Sequence, residues 1–185
     1  MTAPILTFIT SSENKLAEVE RLLGYRLARA TVPLEEIQAI ELAPVVSSKA
    51  RYAYVRLGSP VLVEDTGLAF AALKGLPGAL IKWFLLALGV NGLCHLLRGE
   101  SNRAATATTL FGYYDGTLYR VFSGTISGII PERPRGAFGF GWDAIFQPLG
   151  SDRTFGEMAA EEKDHFSMRR LALDRLRESD LLGSR

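Results

Sequence analysis

Short apolar runs rich in β-branched residues alternate along the chain with stretches whose apolar positions recur every three or four residues. The run Ile5–Thr10 predicts a buried strand, and Leu27–Val32 and Val61–Glu64 predict two more. Ser11 and Ser12 can cap a helix over Glu13–Leu23, with Leu16, Val19 and Leu23 on one face and Gly24 as the stop. A second helix is expected from about Ser47 to Leu57, closed by Gly58. Gly75-Leu76-Pro77-Gly78 reads as a turn, and Ala79–Leu88 and Gly92–Leu97 read as helices separated by Gly89. Two β-rich runs between Ala104 and Ile130 meet at Asp115-Gly116, the clearest hairpin signal in the chain. A loop is expected over Pro131–Gly141 and helical structure over Glu157–Glu178. Strands interleaved with helices and followed by a hairpin imply an α/β fold with a mixed central sheet flanked by helices.

The 185 residues suit one domain, or one domain split into two lobes, spanning 1–185. With 21 basic against 20 acidic residues the net charge is +1, so no overall field draws the chain to nucleic acid. Any bound anion must be held by a local cluster of cations. The single Cys94 excludes an intrachain disulfide and a multi-cysteine zinc site, and makes a reducing cytoplasm the expected compartment. The start, MTAPILTFITSSENK, has no basic n-region and does not read as a signal peptide. The most apolar stretch, Ala79–Val90, is interrupted by Lys82 and is too short to span a membrane.

Four stretches offer chemistry. Thr10-Ser11-Ser12-Glu13-Asn14-Lys15 lies at a strand-to-helix junction, where free N–H groups and the dipole favour a phosphate and Lys15 adds a point charge. The plainer reading is a capped helix with an exposed lysine. Glu64-Asp65-Thr66-Gly67 ends a buried run in two carboxylates, which either emerge into water or hold a cation such as Mg²⁺. Neighbouring strand residues face opposite ways, so the two acids diverge unless a turn at Gly67 re-aims one. Gly139-Phe140-Gly141-Trp142-Asp143 sets two rings among glycines, suited to clasp a flat base or simply to pack a core. In Glu161–Arg170, Ser167 and Arg169 fall on opposite sides of an uninterrupted helix. They share its first turn if a helix starts after Ser167 as N-cap. His95 and His165 make no nucleophile–base pair, and no Gly-x-Ser-x-Gly elbow occurs.

Taken in order, FITSSENKLAEVERLL, VLVEDTGLAF, GLPGALIKWFL, FGWDAIFQP and FGEMAAEEKDHFSMRRLAL resemble the inosine triphosphate pyrophosphatase family, over nearly the whole chain. The resemblance implies a two-lobed domain and Mg²⁺-dependent cleavage of noncanonical purine nucleoside triphosphates (ITP, dITP, XTP) to the monophosphate and pyrophosphate. It also implies a homodimer. By position, Lys15 and Lys49 look like triphosphate-binding lysines, with Thr10, Ser11 and Ser12 completing the cradle. Asp65 matches the residue that activates water, Glu64 stands beside the metal, and Glu36 looks like a metal ligand. Lys82 falls near the substrate; Phe140, Trp142 and Asp143 match the base-binding loop. Lys163, Ser167, Met168 and Arg169 match the recognition segment, where Arg169 donates to a 6-keto oxygen that adenine lacks.

Two departures stand out. The family's Ser-His-Arg is here Ser167-Met168-Arg169, and Met168 donates no strong hydrogen bond. The Gly-Asn that follows the family's threonine is here Ser11-Ser12. The favoured expectation is that the family activity survives. The alternatives are the same chemistry on a different or modified nucleotide, and nucleotide binding without turnover.

Overall fold

The computed structural model describes residues 6–24, 26–33, 35–179 and 181. In chain order the elements are β1 (Thr7–Ile9), α1 (Glu13–Leu23), β2 (Ala28–Ala30), α2 (Leu42–Leu57), β3 (Val61–Phe70), β4 (Pro77–Gly78) and α3 (Ile81–His95). They continue with β5 (Ala104–Tyr114), β6 (Tyr119–Ile129), β7 (Gln147–Pro148), α4 (Ala160–His165) and α5 (Met168–Arg177). Ile5, placed by the sequence in the first strand, lies outside the described residues.

The strands form one mixed sheet in the order β2-β1-β3-β5-β6-β7, with β4 paired to β3. β1 runs parallel to β2 and β3, whereas β4 on β3 and β7 on β6 are antiparallel. The expected α/β architecture with a mixed sheet is therefore present, and β5 and β6 flank Asp115-Gly116 as the turn residues predict.

Three local expectations need adjustment, and the break at Gly89 is met. Helix α2 starts at Leu42, not Ser47, because burial of Leu42, Val45 and Val46 supports an earlier turn, in which Pro44 is tolerated for want of an N–H partner. Strand β3 does not end at Glu64; it continues through Gly67 to Phe70, since Leu68 and Phe70 are fully buried and keep the extended chain anchored. The helix α3 carries non-helical backbone at Gly89 (φ 64°, ψ 176°), where the sequence placed a break between two helices. The C-terminal third is not one helix: α4 ends at His165 and α5 begins at Met168, directly after Ser167.

The chain divides into two compact units. The first comprises Met1–Asp65, Thr109–Gly124 and Arg169–Arg185. Its core includes Phe8, Val19, Leu62, Phe111, Phe122 and Leu173. Arg175 donates to the Ser123 carbonyl and Arg177 to the Leu22 carbonyl, fastening α5 to this core. The second comprises Thr66–Thr108 and Thr125–Met168, with Phe70, Ile81, Leu93, Trp142, Phe146, Phe155 and Met168 among its core residues. The Arg103 guanidinium is a staple there, donating to the carbonyls of Leu97 (2.7 Å), Ile130 (2.7 Å), Pro131 (2.8 Å) and Cys94 (3.2 Å). Among the described residues no helix is long and apolar enough to cross a membrane.

Candidate active site

Each unit holds charged side chains that the sequence motifs single out. In the first unit these begin at the β1–α1 junction. Ser12 is the N-cap of α1: its Oγ accepts from the Lys15 backbone N–H at 3.3 Å, and its own N–H donates to Thr10 Oγ1 at 3.1 Å. Ser11 is exposed. The capped first turn starts the helix at Glu13 and sends Lys15 towards the carboxylates of β3. Lys15 Nζ lies 2.7 Å from Glu64 Oε2 and 3.9 Å from Asp65 Oδ1. Lys15 thus reaches both acids, although they are neighbours on a continuing strand and differ in burial, Glu64 being fully enclosed and Asp65 about one-fifth exposed.

Lys49, from α2, closes the other side. Its Nζ is 2.8 Å from Glu36 Oε1 and 3.5 Å from the Glu64 carbonyl. Burial works against the Lys49 ammonium. The charges of Asp65, Glu36 and Glu64, together with the Glu36 hydrogen bond, outweigh that and hold its pKa above the ordinary lysine value. Lys49 is therefore a charged group throughout the physiological range.

Arg169 joins this first constellation. Its Nη2 donates to Glu64 Oε1 at 3.0 Å and its Nη1 to Glu18 Oε2 at 2.6 Å, and all three residues are buried. Burial opposes the guanidinium charge, but the two carboxylates raise its pKa further above the ordinary arginine value. Lys49 and Arg169 are thus held as cations. The lysines here present donors already oriented by acids.

In the second unit, Gly139-Phe140-Gly141-Trp142-Asp143 leads into a single 3₁₀ turn at Asp143–Ile145. Asp143 Oδ2 accepts from the Phe140 N–H and from Lys163 Nζ, both at 2.8 Å. Gly139 has φ 73°, and a Cβ there would stand 2.1 Å from Asp143 Oδ2, so only glycine lets the carboxylate fold back on this loop. The Lys163 ammonium also lies 5.2 Å from the ring centroids of both Phe140 and Phe155. Trp142 packs inward, edge-on to Phe146 and stacked on Phe155, while Phe140 stays half-buried.

The residues 6–179 match the Ham1 family. The chain belongs to that family. It is 44% identical over 177 residues to the inosine triphosphate pyrophosphatase of Yarrowia lipolytica, with 93% of each chain covered. It is 40% identical over 171 residues to the dITP/XTP pyrophosphatase of Thermococcus kodakarensis, covering 91% of this chain and 92% of that one. The solved structure of a HAM1 protein from Coxiella burnetii superposes with a TM-score of 0.81 at 26% identity, covering 97% of this chain and 98% of the other. The family expectation drawn from the sequence motifs is borne out.

Against this Ham1 frame, Lys15, Glu36, Lys49, Glu64 and Asp65 come together in the first unit, with Thr10 and Ser12 shaping the turn that aims Lys15. In the second unit, Phe140, Asp143 and Lys163 come together. Lys82 is exposed, its ammonium 5.3 Å from the Trp83 ring centroid. Met168 is buried in the apolar core of the second unit, and Ser167 is fully buried. Sequence reasoning missed Glu18. The available signal was its position three residues after Lys15 and next to Val19, where an acid borders the apolar face of α1.

Among the described residues, no group of three or more His, Cys, Asp or Glu is gathered as a metal site. Mg²⁺ does not need one, since it commonly takes one or two carboxylates and completes its shell with water and substrate phosphates. Asp65 and Glu36 fit that role: both are oxygen donors with partly exposed side chains. Glu64 fits less well, because Lys15 and Arg169 already engage its two oxygens.

Proposed function

We propose that this chain hydrolyses inosine, deoxyinosine and xanthosine triphosphates to the monophosphate and pyrophosphate, as a single nucleoside triphosphate pyrophosphatase domain. The observation that carries the reading is the pairing of Lys15 with Glu64 and Asp65, beside Lys49 and Glu36, in a chain whose relatives bear those activities in their names. Lys15 and Lys49 bind the triphosphate, and the exposed Ser11, at the head of the capped α1 turn, adds a neutral donor, with Thr10 and Ser12 shaping the turn. Charge neutralisation and positioning are the main demands of phosphoryl chemistry, which these groups meet without a covalent intermediate. Asp65, the more exposed of the two β3 acids, accepts the proton of the attacking water. In this proposal Asp65 and Glu36 would hold Mg²⁺, with Glu64 beside it, and the ion would supply Lewis-acid neutralisation of the phosphate charge.

Base selection falls to the second unit. Asp143 accepts and Lys163 donates, a pattern complementary to the N1–H donor and 6-keto acceptor of hypoxanthine and xanthine. Adenine presents the reverse pattern and leaves both groups mismatched, which is the strong form of discrimination. Phe140 supplies a ring face. The alternative of a modified base was prompted by Met168. Met168 packs in an apolar core, so a methionine in place of the family's histidine is accommodated as packing. The proposal includes a cytoplasmic homodimer, supported by the free Cys94 and by the exposed apolar side chains Trp83, Leu86 and Leu88 of α3.

The test is a panel of natural and modified nucleoside triphosphates with Mg²⁺, scoring pyrophosphate against phosphate. Release of pyrophosphate from inosine and xanthosine triphosphates, with adenosine triphosphate slow, is the expected result. Preference for adenosine triphosphate, or release of single phosphates, contradicts the proposal.

A further inference from the structure

We infer that Glu18 is a positioning residue: through the Arg169 guanidinium it fixes Glu64, and through Glu64 it fixes Lys15. The inference rests on the reading that Lys15 receives the triphosphate.

Four charged side chains alternate in sign along one chain of contacts. Glu18 Oε2 lies 2.6 Å from Arg169 Nη1, Arg169 Nη2 lies 3.0 Å from Glu64 Oε1, and Glu64 Oε2 lies 2.7 Å from Lys15 Nζ. The path leaves α1 at Glu18, crosses α5 and β3, and returns to α1 at Lys15, three residues earlier on the same helix. It is a closed circuit within the first unit.

Two physical features make Glu18 the controlling member. Arg169 stands in the first turn of α5, where the helix dipole disfavours a cation, and it is buried, so its charge depends on both acids. Its two terminal nitrogens belong to a rigid planar fork. Where Glu18 holds one nitrogen, the direction of the other is set, and with it the rotamer of Glu64. Without Glu18, Arg169 is left to Glu64 as its remaining carboxylate in this circuit. Glu64 then shifts towards the guanidinium and its hold on Lys15 slackens. Lys15 is thereby less prepared for a polyphosphate, although Glu18 itself is buried and 8% exposed.

The experiment measures the affinity for inorganic tripolyphosphate by calorimetry without metal, and kcat and KM for inosine triphosphate with Mg²⁺. It compares the parent with Glu18→Gln, Glu18→Ala, Arg169→Met and the double variant Glu18→Ala/Arg169→Met, each checked for folding by circular dichroism. Glu18→Ala is expected to weaken tripolyphosphate binding and lower kcat/KM roughly tenfold, the scale of a coupling carried through intervening contacts. Glu18→Gln, which keeps an acceptor oxygen, falls between it and the parent. In the Arg169→Met background, removing Glu18 adds less than about twofold, because the relay is already cut. Parent-like binding by a folded Glu18→Gln or Glu18→Ala protein, or fully additive losses in the double variant, overturns the inference. If Glu18→Ala does not fold, Glu18→Gln carries the same comparison. A parent that binds tripolyphosphate but releases no pyrophosphate refutes the proposed activity and leaves the relay to be decided by binding; a parent that binds neither refutes both.

Discussion

The Lys163 ammonium donates to Asp143 Oδ2 at 2.8 Å inside the second unit, with both side chains less than one-tenth exposed. A buried pair of this kind matters to stability. Neither charge is tolerable alone in a site also lined by Phe140 and Phe155.

Lys163→Met should therefore be strongly destabilising. Leaving Asp143 without its cation is expected to cost about 3–5 kcal/mol, which for a chain of this size lowers Tm by roughly 10 °C. Lys163→Met/Asp143→Asn should recover part of that loss, since no lone charge remains. Thermal melts of the two variants beside the parent check the point; equal melting of parent and Lys163→Met contradicts it.

Met168 is the position where the chain departs most visibly from the family's Ser-His-Arg. Its burial alongside Trp142, Phe146 and Phe155 makes Met168→Leu a volume-conserving change costing less than about 1.5 kcal/mol. Met168→His places an imidazole among apolar groups and is expected to cost about 1–3 kcal/mol. Denaturant midpoints decide between them, and a Met168→His protein as stable as the parent would mean that the core opens to a polar partner there.

The hairpin turn predicts a pH dependence. Asp115 Oδ1 accepts from the Leu118 N–H (2.8 Å), the Thr117 N–H (2.9 Å) and Thr117 Oγ1 (2.9 Å), and these bonds, the Leu118 one first, hold its pKa down to about 2. The unfolded value is about 3.9, so the carboxylate stabilises the fold above pH ~4 and loses that contribution as the pH falls towards 2. Asp115→Asn keeps an acceptor but not the charge. It should melt lower than the parent at pH 6, by an amount equivalent to about 1 kcal/mol after allowing for solvent exposure, and the gap should close near pH 2. A gap that widens on acidification contradicts the assignment.

Local chemistry made much of the fold legible. Ser12 and Gly24 delimit α1 as their capping preferences dictate, and Asp115-Gly116 marks the turn between β5 and β6. What escaped was decided by tertiary burial. Glu64-Asp65-Thr66-Gly67 has the composition of a strand ending, but buried Leu68 and Phe70 carry the strand onward. Lys15, Lys49, Glu36, Glu64 and Asp65 could be named from motifs, whereas Glu18 and its pairing could not: Glu18 and Arg169 are 151 residues apart in sequence. For the same reason the contacts of Arg169 with Glu18 and Glu64 were not legible, the family resemblance implying only that it faces a purine oxygen.

The role of Asp65 is the centre of this account, because Lys15 and Lys49 gather charge that is of catalytic use only if a water is activated there. The direct measurement is pyrophosphate release from inosine triphosphate by the parent and by Asp65→Asn, with nucleotide affinity determined in parallel. The account predicts that release falls by on the order of a thousandfold or more while affinity changes little. Turnover by Asp65→Asn equal to that of the parent would contradict it.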